Sequence, residues 1–242
     1  MPLRNLLAWA KGAGNMAKWY IGMTEDAIRQ KVVDTAVSLL GIKEGTAEHK
    51  KIVDTYNSQA QLPRGYRLRE KDPWCAATIS VIGIMLGISH IILPEVGCGP
   101  MIELYKAQGR WMEADDYVPK PGDIWMADWE AKKGECTGEP NHVELVEWCD
   151  GKNIGLIGGN SDNQVKRRTI CVEYVKTRGF CLPDYAALVQ QFKDVPGDHI
   201  HADGIAWGAE KGIVLGVGDG LFEPDRPVTR GELMTILHRL SK

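Results

Sequence analysis

The residue of this chain best placed for covalent chemistry is Cys75, which opens the apolar run CAATISVIGIMLG. This run predicts a buried helix that ends at Gly87, because glycine is typical of the position just past a helix end. Cys75 then lies in the first turn, where unpaired N–H groups and the macrodipole favour negative charge. That setting lowers a thiol pKa and favours the nucleophilic thiolate. The alternative is a buried cysteine that acts as a small apolar side chain.

A cysteine nucleophile needs a base to take its proton, and His142 is the candidate. His142 opens the predicted strand HVELVEWC, directly after a loop rich in glycine and charge. The imidazole needs a polar partner to fix its tautomer. The next predicted strand, IGLIGGN, ends at Asn160, and an antiparallel neighbour would bring it beside His142. The sequence therefore suggests a Cys–His–Asn set, although a histidine at a strand start is usually a surface residue.

The elements that must position these residues are helices first and strands second. An apolar stripe predicts a helix from Thr24 to Leu40, and shorter helices are expected around 49–56 and from Pro100 onward. After Tyr117 the pattern changes to short strands separated by turns, namely IWMAD, HVELVEWC, IGLIGGN and TICVEYV, with SDNQVKRR as a loop. This order predicts an α+β fold whose sheet is an antiparallel meander.

Composition excludes several classes of function. The 242 residues suffice for one or two domains with a real core. The formal net charge of -3 provides no basic surface, so we expect no nucleic-acid partner. No apolar run reaches the roughly 18 residues that span a bilayer. Residues 1–23 form an extension of unknown role, and its apolar run is too short for a secretory signal peptide.

Six cysteines are scattered along the chain without a C-x-x-C spacing: Cys75, Cys98, Cys136, Cys149, Cys171 and Cys181. Neither a structural zinc site nor a disulfide framework is expected, and free thiols indicate synthesis in a reducing compartment. Cys98 follows a break in the chain and could line the same cleft as Cys75. No base stands beside Cys98, however, and a structural role is the favoured interpretation.

Residues 39–185 resemble the CHAP (cysteine, histidine-dependent amidohydrolase/peptidase) domain and its NlpC-type relatives, which cut bacterial peptidoglycan. The resemblance is carried by PWCAATIS, VPKPGDIWMADW, NHVELVEW, IGLIGGN and RGFCLPDY. It implies a papain-like fold with helices packed on an antiparallel sheet. It also implies that Cys75 attacks an amide carbonyl, that His142 shuttles the proton and that a polar residue steadies the imidazole.

Two positions depart from that family. Its members often have a glutamate two residues before the asparagine, where this chain has Gly158, and a glycine two residues after the histidine, where this chain has Glu144. Since strand residues two apart share a face, Glu144 lies on the face of His142. Our hypothesis is that Glu144 supplies the carboxylate missing at 158. The alternative is a solvent-facing Glu144 and a dispensable carboxylate. No metal or other cofactor is expected, because the loop before Cys75 is too poor in carboxylates for a calcium site.

The segment DVPGDHIHADGIAWGAEKGIVLGVGDGLFEPDRPVTRGEL is similar to an S-layer homology (SLH) repeat. Its sequence predicts helix, turn-rich loop and helix, with Thr229 and Glu232 as a capping box. The resemblance implies binding of secondary cell-wall polysaccharide, often bearing acidic pyruvyl groups. Arg230, at a helix N-terminus, is the leading candidate for that anion, and Asp194, Trp207 and Gly216 are weaker candidates.

Two of these four residues also have a plainer interpretation. Trp207 could equally be a core residue, and Arg230 could be a solvated surface residue. A lone repeat of about 50 residues buries little apolar surface. We therefore expect the segment either to dock onto the catalytic domain or to self-associate.

The sequence as a whole predicts a peptidoglycan hydrolase with three parts, an extension (1–23), a CHAP-like catalytic domain (24–187) and a small helical SLH-like wall-binding module (188–242). It would be an N-acetylmuramoyl-L-alanine amidase or a peptidoglycan endopeptidase, of the endolysin or autolysin kind. Synthesis in the cytoplasm and release by a holin-type pore or non-classical export would bring it to the bacterial wall. The alternative is a non-catalytic wall-attached binding protein with a degenerate CHAP domain.

Overall fold

The computed structural model describes residues 19–20, 23–113, 117–132, 138–189, 192–196 and 199–241. They divide into two compact units, the first formed by residues 30–183 and the second by residues 19–29 and 184–241. The predicted extension lies almost wholly outside the described residues. The helices are α1 (Glu25–Ser38), α2 (Ala47–Asn57), α3 (Cys75–Leu86), α4 (Cys98–Ala107), α5 (Ala186–Val189), α6 (Ala202–Glu210) and α7 (Arg230–Leu240). The strands are β1 (Trp111–Glu113), β2 (Ile124–Ala127), β3 (His142–Cys149), β4 (Asn153–Gly158), β5 (Lys166–Cys171) and β6 (Thr177–Cys181).

Helix α3 is the buried helix that the sequence predicted. Every residue from 75 to 83 is buried, because the run carries apolar or small side chains on all faces. Its two hydroxyl groups bond the preceding turn, with Thr78 Oγ1 donating to the carbonyl of Trp74 at 2.9 Å and Ser80 Oγ to that of Ala76 at 3.1 Å. The helix ends at Gly87, whose φ of 67° is the left-handed conformation that favours glycine.

The sheet confirms the predicted antiparallel architecture. Six strands pair in the order β1-β6-β2-β3-β4-β5, and every pair is antiparallel. Strands β2 to β5 are neighbours in chain order, which is the predicted meander. All four residues of β2 are buried, so the middle of the sheet is covered on both faces. The start of β3 therefore lies in the interior of the first unit.

Strand β5 corrects the sequence prediction. The expected loop SDNQVKRR already becomes strand at Lys166, and the strand expected over TICVEYV ends at Cys171. Charged residues fit here because β5 is the last strand of the sheet and alternates between partly buried and exposed positions. The consequence is that Arg168 belongs to the sheet, beside β4.

Gly159 sets how closely the end of β4 approaches α3. A Cβ atom at this position would collide with Thr78 Oγ1 and with the ring of Trp74. We therefore expect Gly159→Ala to lower the free energy of unfolding by about 1–3 kcal/mol through overpacking, as measured by urea unfolding. The matched control is Gly99→Ala in α4, where the nearest atom to the new Cβ is Glu139 Oε2 at 3.5 Å. Equal stability of the two variants would contradict a close approach at Gly159.

The second unit contains the predicted helix–loop–helix. Phe192, Val195 and Ile205 form its small core. The predicted capping box at the start of α7 is confirmed, since Thr229 Oγ1 accepts from the N–H of Glu232 and the glutamate side chain bonds back to the N–H of Thr229. The apolar face expected on α7 is not buried, however. Leu233, Leu237 and Leu240 are each about half exposed, because no other described element of this unit covers them.

Candidate active site

Cys75 is the first residue of α3, as the sequence predicted. Its side chain is buried, and the backbone N–H of Ala76 is directed at its sulfur. The residue before it, Trp74, is fully buried, and its Nε1 donates to Glu44 Oε2 at 3.2 Å while its ring packs against His49 at 4.7 Å between centroids. These contacts fix the start of α3, and thereby the position of the sulfur.

His142 opens β3 and shares a hydrogen bond with the Cys75 sulfur. Its Nε2 lies 2.9 Å from Glu144 Oε1, so Nδ1 is the ring nitrogen left for the thiol. The ring also packs against Trp129, with 5.5 Å between the centroids. Cys75, His142 and Glu144 therefore form a continuous hydrogen-bonded chain.

Glu144 is the carboxylate partner of the imidazole in this structure. It is fully buried, so a solvent-facing position, which was the alternative interpretation, is wrong. The register of β3 and β4 pairs Leu145 with Ile157, which puts Glu144 directly opposite Gly158. A Cβ atom at 158 would lie 3.0 Å from the Glu144 Cβ and would collide with its Cγ. The glutamate therefore occupies the space that the missing side chain leaves.

Asn160 does not take the role expected from the sequence. None of the hydrogen bonds between described residues joins it to His142, whose Nε2 is bonded to Glu144. The reason lies in the chain direction, since β4 ends at Gly158 and Asn160 has a left-handed φ of 53° that carries it off the strand. Asn160 instead lines a cleft of about 290 Å³ together with His142. The other residues of this cleft are Trp129, Ser161, Asp162 and Arg168.

Arg168 is a site residue that sequence reasoning missed, because it was assigned to a loop. Its Nε lies 3.4 Å from Glu144 Oε1, and its Nη2 donates to Ser161 Oγ at 2.9 Å. The guanidinium also stacks on the ring of Trp129, 4.9 Å from the centroid. Once Cys75 has passed its proton to His142, negative and positive charges alternate along the site. They are the thiolate, the imidazolium, the carboxylate and the guanidinium, in that order. No local sequence pattern indicated this role, because it depends on the pairing of Arg168 with Leu156 of β4.

The electrostatics of the pair favour a thiolate and an imidazolium. The hydrogen bond from the Cys98 thiol lowers the pKa of Cys75 well below its usual range, and the bond and charge of His142 act in the same direction against the effect of burial. Burial alone would lower the pKa of His142. The hydrogen bonds and charges of Cys75 and Glu144 outweigh it and raise the pKa of His142 to about 9. Proton transfer from sulfur to imidazole is therefore already favoured before a substrate binds.

Cys98 lies closer to this site than the sequence indicated. Helix α4 begins at Cys98 itself rather than at Pro100, because Gly97 takes the N-cap position with extended backbone. Two helix starts therefore meet, and the sulfur atoms of Cys75 and Cys98 are 3.9 Å apart. The hydrogen bond to Cys75, together with burial and the negative charge of Cys75, raises the pKa of Cys98, which stays a thiol. The described cysteines are all free thiols, and Cys136 lies outside the described residues.

The four residues proposed for wall-polymer binding divide into two pairs. Asp194 accepts hydrogen bonds from the N–H groups of Phe222 and Glu223, at 2.9 and 2.7 Å, and so serves the fold of the loop. Gly216 has a φ of 75°, and a Cβ there would lie 2.6 Å from the carbonyl oxygen of Leu221. These two residues therefore shape the loop, and their part in ligand binding stays a prediction.

The other two residues are open to solvent. Trp207 on α6 is 49% exposed, which excludes the interpretation of this residue as core. Arg230 is exposed at the first position of α7, and no described carboxylate forms an ion pair with it. By contrast, Arg226 is paired with both Glu223 and Glu232. Arg230 is therefore the cation of this helix start that remains available to an anion.

The described ranges contain no group of three or more His, Cys, Asp or Glu residues arranged to hold a metal ion. None of their helices has both the length and the apolar character required to cross a bilayer.

Comparisons with known proteins match the second unit. The family model of the S-layer homology domain matches residues 191–234. An S-layer protein of Bacillus thuringiensis subsp. finitimus is 42% identical over 55 residues, which are 23% of this chain and 7% of that protein. The S-layer protein sap of Bacillus anthracis is also 42% identical over 55 residues, again 23% of this chain and 7% of its own length. No solved structure matches the chain.

These matches confirm the SLH resemblance of the carboxy-terminal segment. They concern a short region, since the chain spans only 7% of the length of the curated relatives it matches. The family comparison does not show a CHAP domain in the first unit, so that resemblance and its papain-like fold stay predictions.

Proposed function

We propose that this protein hydrolyses an amide bond of bacterial peptidoglycan with Cys75 as nucleophile, and that its SLH segment attaches it to the wall. The observation that carries the proposal is the chain of Cys75, His142 and Glu144, which begins at a helix N-terminus. The papain-like CHAP fold belongs to the same proposal. Its support is the order of buried helix and antiparallel strand, in which α3 supplies Cys75 and β3 supplies both His142 and Glu144.

The geometry suits acyl transfer. The Cys75 thiolate attacks the amide carbonyl carbon, and the N–H at the start of α3 stabilises the negative charge that develops on the oxygen. The His142 imidazolium donates its Nδ1 proton to the departing amine, which leaves a thioester on Cys75. Neutral His142 then takes a proton from water, whose oxygen attacks the thioester and releases the acid. Glu144 holds the ring orientation and stabilises the imidazolium in both steps.

The cleft next to His142 supports a polar, extended substrate. Its volume of about 290 Å³ accommodates a short peptide segment, and its lining includes the Trp129 ring and the Arg168 guanidinium. Either the bond between muramic acid and L-alanine or a peptide bond of the stem or cross-bridge fits this chemistry.

The experiment that tests the proposal is digestion of purified peptidoglycan followed by mass spectrometry of the soluble fragments. New amino termini on L-alanine would identify an amidase, and new termini within the stem or bridge an endopeptidase. Walls that keep their turbidity and release no fragment would refute hydrolysis. They would favour the alternative of a wall-attached binding protein, which the S-layer relatives of the SLH segment support.

The raised pKa of His142 predicts the alkaline limit of activity. The reactive form has a Cys75 thiolate and a protonated His142. This form exists at pH values between the lowered pKa of Cys75 and the His142 pKa of about 9. Above that pH the imidazole loses the proton it must donate. We expect kcat/KM for wall digestion to fall as pH rises through about 9. In Glu144→Gln the alkaline limit of the residual activity should shift to lower pH, because the carboxylate that raises the His142 pKa is gone.

A pH profile recorded with both proteins checks this prediction. Identical alkaline limits in wild type and Glu144→Gln would contradict the assignment of Glu144 as the partner of the imidazolium.

Attachment to the wall should depend on Arg230. Its exposed guanidinium and the positive end of the α7 macrodipole together suit an acidic group such as a pyruvyl carboxylate. We expect Arg230→Ala to weaken binding to walls that carry their secondary polysaccharide roughly tenfold to 100-fold, as measured by co-sedimentation. The matched control is Lys211→Ala, which removes one exposed positive charge from the same unit. Equal losses in the two variants would indicate a general charge effect only.

The exposed apolar face of α7 supports the expectation that this unit packs against a further surface, either within the chain or in a second copy.

A further inference from the structure

Two cysteines from different helices lie side by side at the candidate active site. Cys75 begins α3 and Cys98 begins α4, and their sulfur atoms are 3.9 Å apart. A catalytic thiol needs no second thiol, and the proposed hydrolysis gives Cys98 no chemical step. We propose that Cys75 and Cys98 form a redox-sensitive pair, which a peroxide converts into a disulfide that masks the nucleophile.

The distance is compatible with such a bond. A disulfide requires about 2.0 Å between the sulfur atoms, so the two must approach by roughly 2 Å, which rotations about the Cα–Cβ bonds can supply. Each cysteine is the first residue of its helix, and turning its side chain about the Cα–Cβ bond leaves the i to i−4 hydrogen bonds of the backbone intact. Both cysteines are free thiols, so both are available for a disulfide.

The two thiols also have suitable and different reactivities. Cys75 is the thiolate of the pair, since the Cys98 thiol and His142 both lower its pKa. Thiolates are the form that peroxides oxidise. Cys98 keeps its proton because Cys75 and burial raise its pKa. Cys75 is therefore the residue that is oxidised first, and Cys98 is the one that resolves the product.

The reaction has two balanced steps. The Cys75 thiolate attacks one oxygen of hydrogen peroxide, the O–O bond breaks, and the departing hydroxide takes the proton of His142 to leave as water. Cys75 is now a sulfenic acid, oxidised by two electrons, and the peroxide is reduced. The Cys98 sulfur then attacks the Cys75 sulfur, the S–O bond breaks, and hydroxide leaves with the Cys98 proton as a second water.

The disulfide can form whether or not the protein hydrolyses peptidoglycan. Only its consequence, a reversible loss of hydrolysis, rests on the proposed function. Reduction by a dithiol would return both thiols. Without Cys98, further oxidation would carry Cys75 to the sulfinic and sulfonic acids, which dithiols do not reverse.

The test is oxidation of the full reduced chain with hydrogen peroxide, followed by peptide mapping under non-reducing conditions. We expect a cross-link between the peptides that contain Cys75 and Cys98, and its disappearance with dithiothreitol. In Cys98→Ser, the Cys75 peptide should instead gain oxygen atoms that dithiothreitol does not remove. Cys171→Ser, which replaces an exposed thiol, should form the same cross-link as wild type.

Several results would overturn the proposal. One is a disulfide that joins Cys75 to another cysteine, and another is irreversible oxidation of Cys75 in wild type as fast as in Cys98→Ser. If Cys98→Ser does not fold, the wild-type map alone decides. A wild-type protein that forms the cross-link and cuts no peptidoglycan would refute the hydrolase and leave the redox pair standing.

Discussion

Cys75→Ala should abolish the release of soluble fragments from peptidoglycan while the protein still co-sediments with walls. The variant keeps α3 and its backbone N–H but lacks the sulfur that forms the thioester in the proposed mechanism. Loss of a nucleophile that acts together with its base costs on the order of 10⁴-fold to 10⁶-fold in kcat. Turbidity loss of purified walls gives the rate, and mass spectrometry of the supernatant detects any residual cutting.

The matched control for this variant is Cys171→Ser, because Cys171 is an exposed thiol at the end of β5. It should digest walls at the wild-type rate. Cutting by Cys75→Ala at a comparable rate would place the nucleophile elsewhere and refute the mechanism. Equal binding by all three proteins without any cutting would identify a wall-attached binding protein instead.

The second large effect concerns the carboxylate on His142. Glu144→Gln should lower kcat on the order of 10²-fold, because an amide holds the ring but does not stabilise the imidazolium. Gly158→Glu alone should also fail, since the new side chain collides with Glu144. The double variant Glu144→Gly with Gly158→Glu should regain most of the activity. The two positions face each other across β3 and β4, so a glutamate from either strand reaches the same space.

A fourth variant makes this exchange a strict test. Glu144→Ala with Gly158→Glu retains a Cβ at 144, and the new Cβ would lie only 3.0 Å from it. We therefore expect that variant to recover far less activity than the version with glycine. Thermal unfolding of each protein separates loss of stability from loss of catalysis. Equal activity of Glu144→Gln and wild type would show that the carboxylate is dispensable, and the double variant would then carry no information.

The local structure around the site follows from patterns that are visible along the chain. A cysteine before two alanines and an apolar run specifies a buried helix start at Cys75, and Gly87 specifies its end. Thr229 and Glu232 specify the start of α7 through hydrogen bonds within four residues. Short strands separated by turns specify the antiparallel meander. Each of these features depends on side-chain periodicity or on caps, which a sequence displays directly.

The sequence also supplied the members of the candidate site, but not their partners. It named Cys75, His142 and Glu144, yet assigned the imidazole to Asn160 and left Glu144 open. Which residue bonds Nε2 depends on the register of β3 and β4 and on the turn that takes Asn160 off the strand. A shift of one residue would invert every side chain of a strand, and no local pattern fixes that choice.

The remaining contacts of the site depend on how the helices and strands pack together. Cys98 lies beside Cys75 because α4 begins two residues before Pro100, and Arg168 lies beside Glu144 because a charged segment forms the last strand. Both meetings join residues more than 20 positions apart in the chain. Contacts of that kind arise from how helices and strands pack against one another, whereas a sequence pattern reports only what neighbours along the chain do.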